Sequence, residues 1–153
     1  MIGKVQFGGY ENSQSKALIE QLGTAADGYT SPRTVPYAEE VDIPGIKLQR
    51  DLEIKYQGKP DYQGDEAHQL RSASVACEAL SRAVEKVGYG NVDGATVVEV
   101  LDSMKDFDPY GVGSITYTPD DHRGALKVCV YEIRNGKVVP LGDWKQVPSL
   151  RPE

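Results

Sequence analysis

The stretch DEAHQLRSASVACEALSRAVEKV, residues 65–87, organises the reading of the whole chain. Leu70, Ala73, Cys77, Leu80, Val84 and Val87 recur at spacings of three and four, the period of a helix, and Gly88 ends the pattern. The spacing predicts one long helix with a buried apolar stripe, worth roughly 1.5–3 kcal/mol for each Leu or Val side chain taken from water. Ala76, Ala79 and Ala83 make a second, small-residue stripe that another backbone can approach closely. This helix anchors the fold.

Working toward the amino terminus, Lys4-Val5-Gln6-Phe7 alternates as a short strand, Gly8-Gly9 punctuates it, and Ser13 to Leu22 follows as a helix closed by Gly23. Tyr29 to Val35 is a second extended segment, Pro36 to Pro44 a loop, and Gly45 to Tyr56 an amphipathic helix carrying Ile46, Leu48, Leu52 and Tyr56. Lys59-Pro60-Asp61 then turns the chain. Beyond the long helix, Asp93 is placed to cap a shorter one reaching Met104, with Val97, Val100, Leu101 and Met104 as its apolar face. The period then changes. Gly113 to Thr118 is a strand, Pro119 to Gly124 a polar turn, and Leu126 to Ile133 a β-rich strand. Asn135-Gly136 separates Ile133-Arg134 from Lys137-Val138-Val139, the signature of a type I′ hairpin. The pattern is α/β, a single module over residues 1–153, without internal repeats or low-complexity segments.

With 153 residues, 39% hydrophobic and 26% charged, the chain is large enough to bury roughly 68–70% of its unfolded surface without disulfides or metals. A net charge of −6 with no concentrated basic stretch argues against nucleic acid as a partner. No apolar run approaches the roughly 18 residues of a membrane span, and the first nine residues lack the basic leader and apolar core of a signal peptide. Cys77 and Cys129 are expected to pack as small hydrophobes rather than to bridge. Nine tyrosines against two phenylalanines favour surfaces where a ring stacks and a hydroxyl bonds.

No GxSxG, CxxC, HExxH, Walker loop or GxGxxG is present, so nothing points to an enzyme, a metal or a cofactor. Asp120-Asp121-His122 reads as a hydrogen-bonded turn ahead of a metal or acid–base site. The informative segment is Gly8-Gly9-Tyr10-Glu11-Asn12-Ser13, where a strand's carboxyl end meets a helix's amino end. There Asn12, Ser13 and free helix N–H groups suit an anionic group and Glu11 a cationic one, together a zwitterion. The competing reading makes Glu11 a partner of the helix dipole and Asn12 or Ser13 a cap. Near the start of the long helix, His68 and Arg71 are further candidates, Arg71 as a two-pronged carboxylate holder or as a solvated helix residue.

These features, in their order, resemble a known family. Phe7-Gly8-Gly9, Ala17-Leu18-Ile19, the run Gly23 to Tyr29, Pro44-Gly45-Ile46, Lys55-Tyr56, Glu78 to Ala83, Leu101 to Met104, Gly111 to Gly124 and Asn135-Gly136-Lys137 are similar to the carboxy-terminal portion of the type I periplasmic solute-binding proteins. The likeness is to the branched-chain amino acid (Leu/Ile/Val) receptor group of ABC importers.

The resemblance implies part of an open sheet flanked by helices with a C-terminal β-hairpin, in a two-lobed receptor that closes over a small solute and delivers it to a membrane permease. It places Glu11 at the acidic position that holds a ligand's ammonium, with Tyr10 beside it departing from the leucine-receptor pattern. His68 to Arg71 stand where the family commonly has an aromatic residue. The implied location is periplasmic or otherwise extracytoplasmic. Members are more than twice as long, so the chain supplies part of a cleft, and a homodimer or an amino-terminal lobe is the implied cover for its exposed faces. The alternative is a non-catalytic structural or interaction fragment that self-associates or pairs with that lobe without binding solute.

Overall fold

A computed structural model describes residues 5–60 and 66–148. In chain order the elements are α1 (Lys16–Leu22), β1 (Thr30–Arg33), α2 (Pro44–Gln57), α3 (Glu66–Val87), α4 (Gly94–Asp102), β2 (Ile115–Thr118), β3 (Asp121–Ala125), β4 (Lys127–Arg134), β5 (Lys137–Pro140) and β6 (Lys145–Gln146). Short 3-10 turns occupy Glu11–Ser13, Gly23–Ala26 and Tyr89–Asn91.

The hairpin forms as its dipeptide predicts. Asn135 and Gly136 adopt φ of 52° and 71°, which brings Arg134 opposite Lys137. Strand β4 is the hub of the larger sheet, pairing antiparallel with β1, β5 and β6. The β2–β3 ribbon is separate. This is an open mixed α/β arrangement, as expected.

Several local expectations are corrected. Residues 5–7 form no strand; main-chain contact with β1 is a single parallel bridge, Gly8 to Thr30, with Gly9 N–H donating to Thr30 O at 2.9 Å. Lys4 lies outside the described residues, as does Asp61 of the expected Lys59–Asp61 turn. The chain turns away at Gly9, which packs so tightly on Tyr29 that an added Cβ would fall 1.9 Å from the phenol oxygen. Helix α1 begins later than expected: Ser15, not Asn12 or Ser13, caps it by accepting from Leu18 N–H at 3.3 Å. The expected polar turn 119–124 shrinks to Pro119-Asp120, since a solvent-facing two-stranded ribbon accommodates the polar residues 121–123 as strand.

The largest correction concerns α3. Its buried side is Ala67, Arg71, Ala79 and Ala83, while Ala73, Ala76 and Cys77 are exposed and Leu80 is 50% exposed. Ala79 and Ala83 of the small-residue stripe pack because they admit α4 closely, whereas the predicted apolar stripe is divided: Leu70, Val84 and Val87 are half-buried, and Ala73, Cys77 and Leu80 face outward. Likewise only Ile46 of the expected α2 face is fully buried, and Leu52 and Tyr56 are exposed. Cys77 and Cys129 are both free thiols, the second buried as expected.

Three apolar clusters hold the chain together. Tyr37, Cys129, Tyr131 and Ile133 pack the larger sheet against α1. Ala79, Ala83, Val100, Met104 and Ile115 join α3, α4 and the ribbon, with Asp93 capping α4 through a 2.8 Å bond from Thr96 N–H. Val35, Ile46, Ala67 and Val112 form the third, where β1 runs out beside the first turns of α2 and α3. The chemistry described next lies at that junction.

Candidate functional site

Alternation along β1 sends Ser31, Arg33 and Val35 inward and leaves Thr34 on the other side, just past the strand's end. Thr34 then meets two partners that are distant in sequence. Its N–H and hydroxyl reach the Glu11 carboxylate: the N–H donates to Oε1, and Oγ1 lies 3.0 Å from Oε1 and 3.2 Å from Oε2. From α3, Arg71 donates through Nη1 to Thr34 O at 2.7 Å and through Nη2 to Thr34 Oγ1 at 3.0 Å. One turn earlier on α3, His68 Nε2 stands 3.0 Å from Glu11 Oε1. Arg71 Nη2 approaches His68 Nδ1 at 3.3 Å.

The backbone of Glu11 is pinned as well. Arg33, 1% exposed and lying 5.2 Å from the Tyr37 ring centre, donates through Nη1 to Glu11 O at 3.0 Å. Gly113 closes the site from the other side with φ of +110°, where a Cβ would come within 3.0 Å of Thr34 O and 3.3 Å of Arg71 Nη1.

Burial pushes the Glu11 carboxyl upward, but His68 and the Thr34 N–H and hydroxyl outweigh it and hold the group at about 2. Burial lowers Arg71, opposed by the charges of Glu11 and Asp108. The Glu11 side chain is nevertheless 23% exposed, so an ionised carboxylate is presented to the surface. Among the described residues, Oε1 takes the Thr34 N–H and the His68 contact, whereas Oε2 meets only the Thr34 hydroxyl. Spare acceptor capacity therefore lies on Oε2.

The six residues singled out in the sequence divide into two sets. Glu11, His68 and Arg71 come together. Tyr10, Asn12 and Ser13 line a different groove of about 1,030 Å³ alongside Phe7, Leu18 and Tyr29. There Tyr10 is 72% exposed and the Ser13 hydroxyl donates locally to Tyr10 O. The expected junction of a strand end with a helix start does not unite them, because the 3-10 turn points Glu11 one way and its neighbours another. Arg71 is buried and bonded to Thr34, which corrects its reading as a solvated residue. Sequence reasoning passed over Thr34 and Arg33; the one available signal is the burial alternation that separates Arg33 from Thr34.

Of the Asp120–His122 segment, Asp120 lies in the expected turn between strands, while Asp121 and His122 open β3. His122 Nε2 lies 2.8 Å from Asp102 Oδ1 on α4, and Asp121 pairs with Arg123. No group of three or more His, Cys, Asp or Glu among the described residues is placed to hold a metal ion, and no described helix is long and apolar enough to cross a membrane.

Solved structures share this fold. A branched-chain amino acid ABC transporter protein from Thermus thermophilus, crystallised with bound valine, superposes with a TM-score of 0.80 at 26% identity, over 94% of this chain and 40% of that one. The fold is that of a type I periplasmic solute-binding protein. An ABC transporter substrate-binding protein from Aeropyrum pernix matches at a TM-score of 0.74 and 16% identity, over 96% of this chain and 39% of that one. A possible leucine/isoleucine/valine-binding protein from Rhodopirellula baltica matches at 0.63 and 23%, over 90% and 36%. The chain thus spans about 40% of the length of the solute-binding proteins it matches, consistent with the carboxy-terminal portion that its motifs resemble. No protein-family model and no curated protein matches the sequence.

Proposed function

We propose that this chain supplies part of the ligand cleft of an ABC importer's extracytoplasmic solute-binding receptor, taking an amino acid or similar small carboxylate for delivery to a permease. The observation that carries this reading is the Glu11 carboxylate: ionised, part-exposed, fixed through Oε1, and with acceptor capacity to spare at Oε2. An ammonium group bonded there meets a full negative charge, the stronger class of hydrogen bond. The valine bound to the Thermus thermophilus protein supports an amino acid as the ligand class. With Arg71 committed to Thr34, the ligand's carboxylate needs donors outside the Glu11 cluster, in keeping with a cleft to which this chain contributes one part. No bond of the solute is made or broken in this reading.

Amide chemical shifts of the chain, titrated with a panel of amino acids to millimolar concentration, test it. The expected outcome is a saturable change at Glu11 and Thr34 that is lost in Glu11→Gln. Unchanged spectra across the panel overturn it.

A second reading, an interaction fragment that pairs with its own copy, is favoured by the groove of about 680 Å³ between α3 and α4, lined by Ala76, Leu80, Val98 and Leu101. Light scattering after size exclusion separates the two. A monomer at all concentrations counts against self-pairing.

A further inference from the structure

We infer that Arg71 is a positioning residue for the Glu11 carboxylate and acts through Thr34, so that Arg71, Thr34 and Glu11 form a directed hydrogen-bond relay ending at the ammonium-accepting carboxylate. The inference rests on the solute-binding reading for the word ammonium, but its geometry stands apart from any ligand.

The direction of the relay follows from donor inventory. A guanidinium has no acceptor, so Arg71 Nη2, 3.0 Å from Thr34 Oγ1, spends its proton on the hydroxyl oxygen. The hydroxyl's own proton is then left for the carboxylate, which is the only acceptor the described contacts offer it, at 3.0 and 3.2 Å. Nη1 on Thr34 O at 2.7 Å makes the grip two-pronged, fixing the peptide whose N–H also donates to Oε1. Gly113 belongs to the same device, because a side chain there would press on Thr34 O and Arg71 Nη1 together. An arginine thus orients a carboxylate that it does not itself touch.

The test uses three variants of the full chain. In Thr34→Val the hydroxyl is replaced by a methyl of similar shape. Thr34→Ser restores the hydroxyl, and Arg71→Lys keeps the charge but loses the fork. Two readouts are taken: the Glu11 carboxyl titration, followed by carbon-detected NMR, and L-valine affinity. Expected are a Glu11 midpoint that rises toward the ordinary carboxylate range in Thr34→Val and Arg71→Lys but stays low in Thr34→Ser. Valine affinity is expected to fall ~10-fold in the first two, the effect of losing roughly one charged-group hydrogen bond, and to stay within about threefold in the third. A midpoint unmoved in Thr34→Val overturns the relay. A midpoint unmoved in Arg71→Lys likewise overturns Arg71's part in the relay, and should that variant fail to fold, Arg71→Gln takes its place. A midpoint that moves as expected in a chain that ignores valine and every other amino acid upholds the relay and overturns the solute-binding reading instead.

Discussion

Glu11 joins burial to ionisation, and that combination has a signature in acid. Its carboxyl titrates at about 2 when folded against 4.5 for the free group. A group lowered by folding contributes stability that is complete above the unfolded value and is lost as pH falls toward the folded one. The window therefore lies between about pH 4.5 and pH 2, and the contribution is on the order of 2–3 kcal/mol, trimmed by the carboxylate's partial exposure. Urea midpoints at about pH 6 and pH 3 should differ more in the wild type than in Glu11→Gln; equal differences would remove Glu11 from the acid response. Of the site's members, Glu11 was legible because a lone acid beside two glycines stands out in sequence. Thr34 was not, since a threonine in an extended run reads as an ordinary β-former. What gives it a role is Arg71, 37 positions away, and a contact of that range leaves no local mark. Arg71 was legible as a charge but not as a committed one.

Elements show the same division between what is local and what is not. The Asn135-Gly136 hairpin and the Asp93 cap follow from adjacent residues and form as read. Helix α3 was placed correctly, yet only half of its expected stripe is covered. Apolar residues surround much of its circumference, and periodicity chose the bulkier stripe, whereas α4 docks on the side where alanines allow close approach. The outward part of the apolar stripe is Ala73, Cys77 and Leu80, which stay exposed. A pair of substitutions checks which side is core. Leu80→Lys, at a half-exposed position, should change unfolding stability by no more than about 0.5 kcal/mol. Met104→Ala, at a fully buried one, should cost roughly 2–5 kcal/mol. Comparable losses in chemical denaturation would place Leu80 in the core after all.

For the molecule as a whole, the decisive strand is β4, which has partners on both edges: β1 on one, β5 and β6 on the other. Tyr131 adds a side-chain tie from its middle, donating to Glu40 at 2.7 Å from a buried phenol whose ionisation is pushed up by that burial and by the carboxylate. Native-state hydrogen exchange should find the slowest amides in β4 and β1, opening near the global free energy, and faster exchange in the two-stranded β2–β3 ribbon. The reverse order would mean that α3 and α4, rather than the larger sheet, hold the chain together. The same pairing has a consequence at birth. Thr30 pairs with Glu132, so β1 leaves the ribosome about 100 residues ahead of its partner. At roughly 5–20 residues per second it waits on the order of 5–20 s with an unpaired edge. For that interval the nascent chain carries an open strand, and a chaperone or an early-folding neighbour is most useful there, between synthesis of the two halves of one sheet.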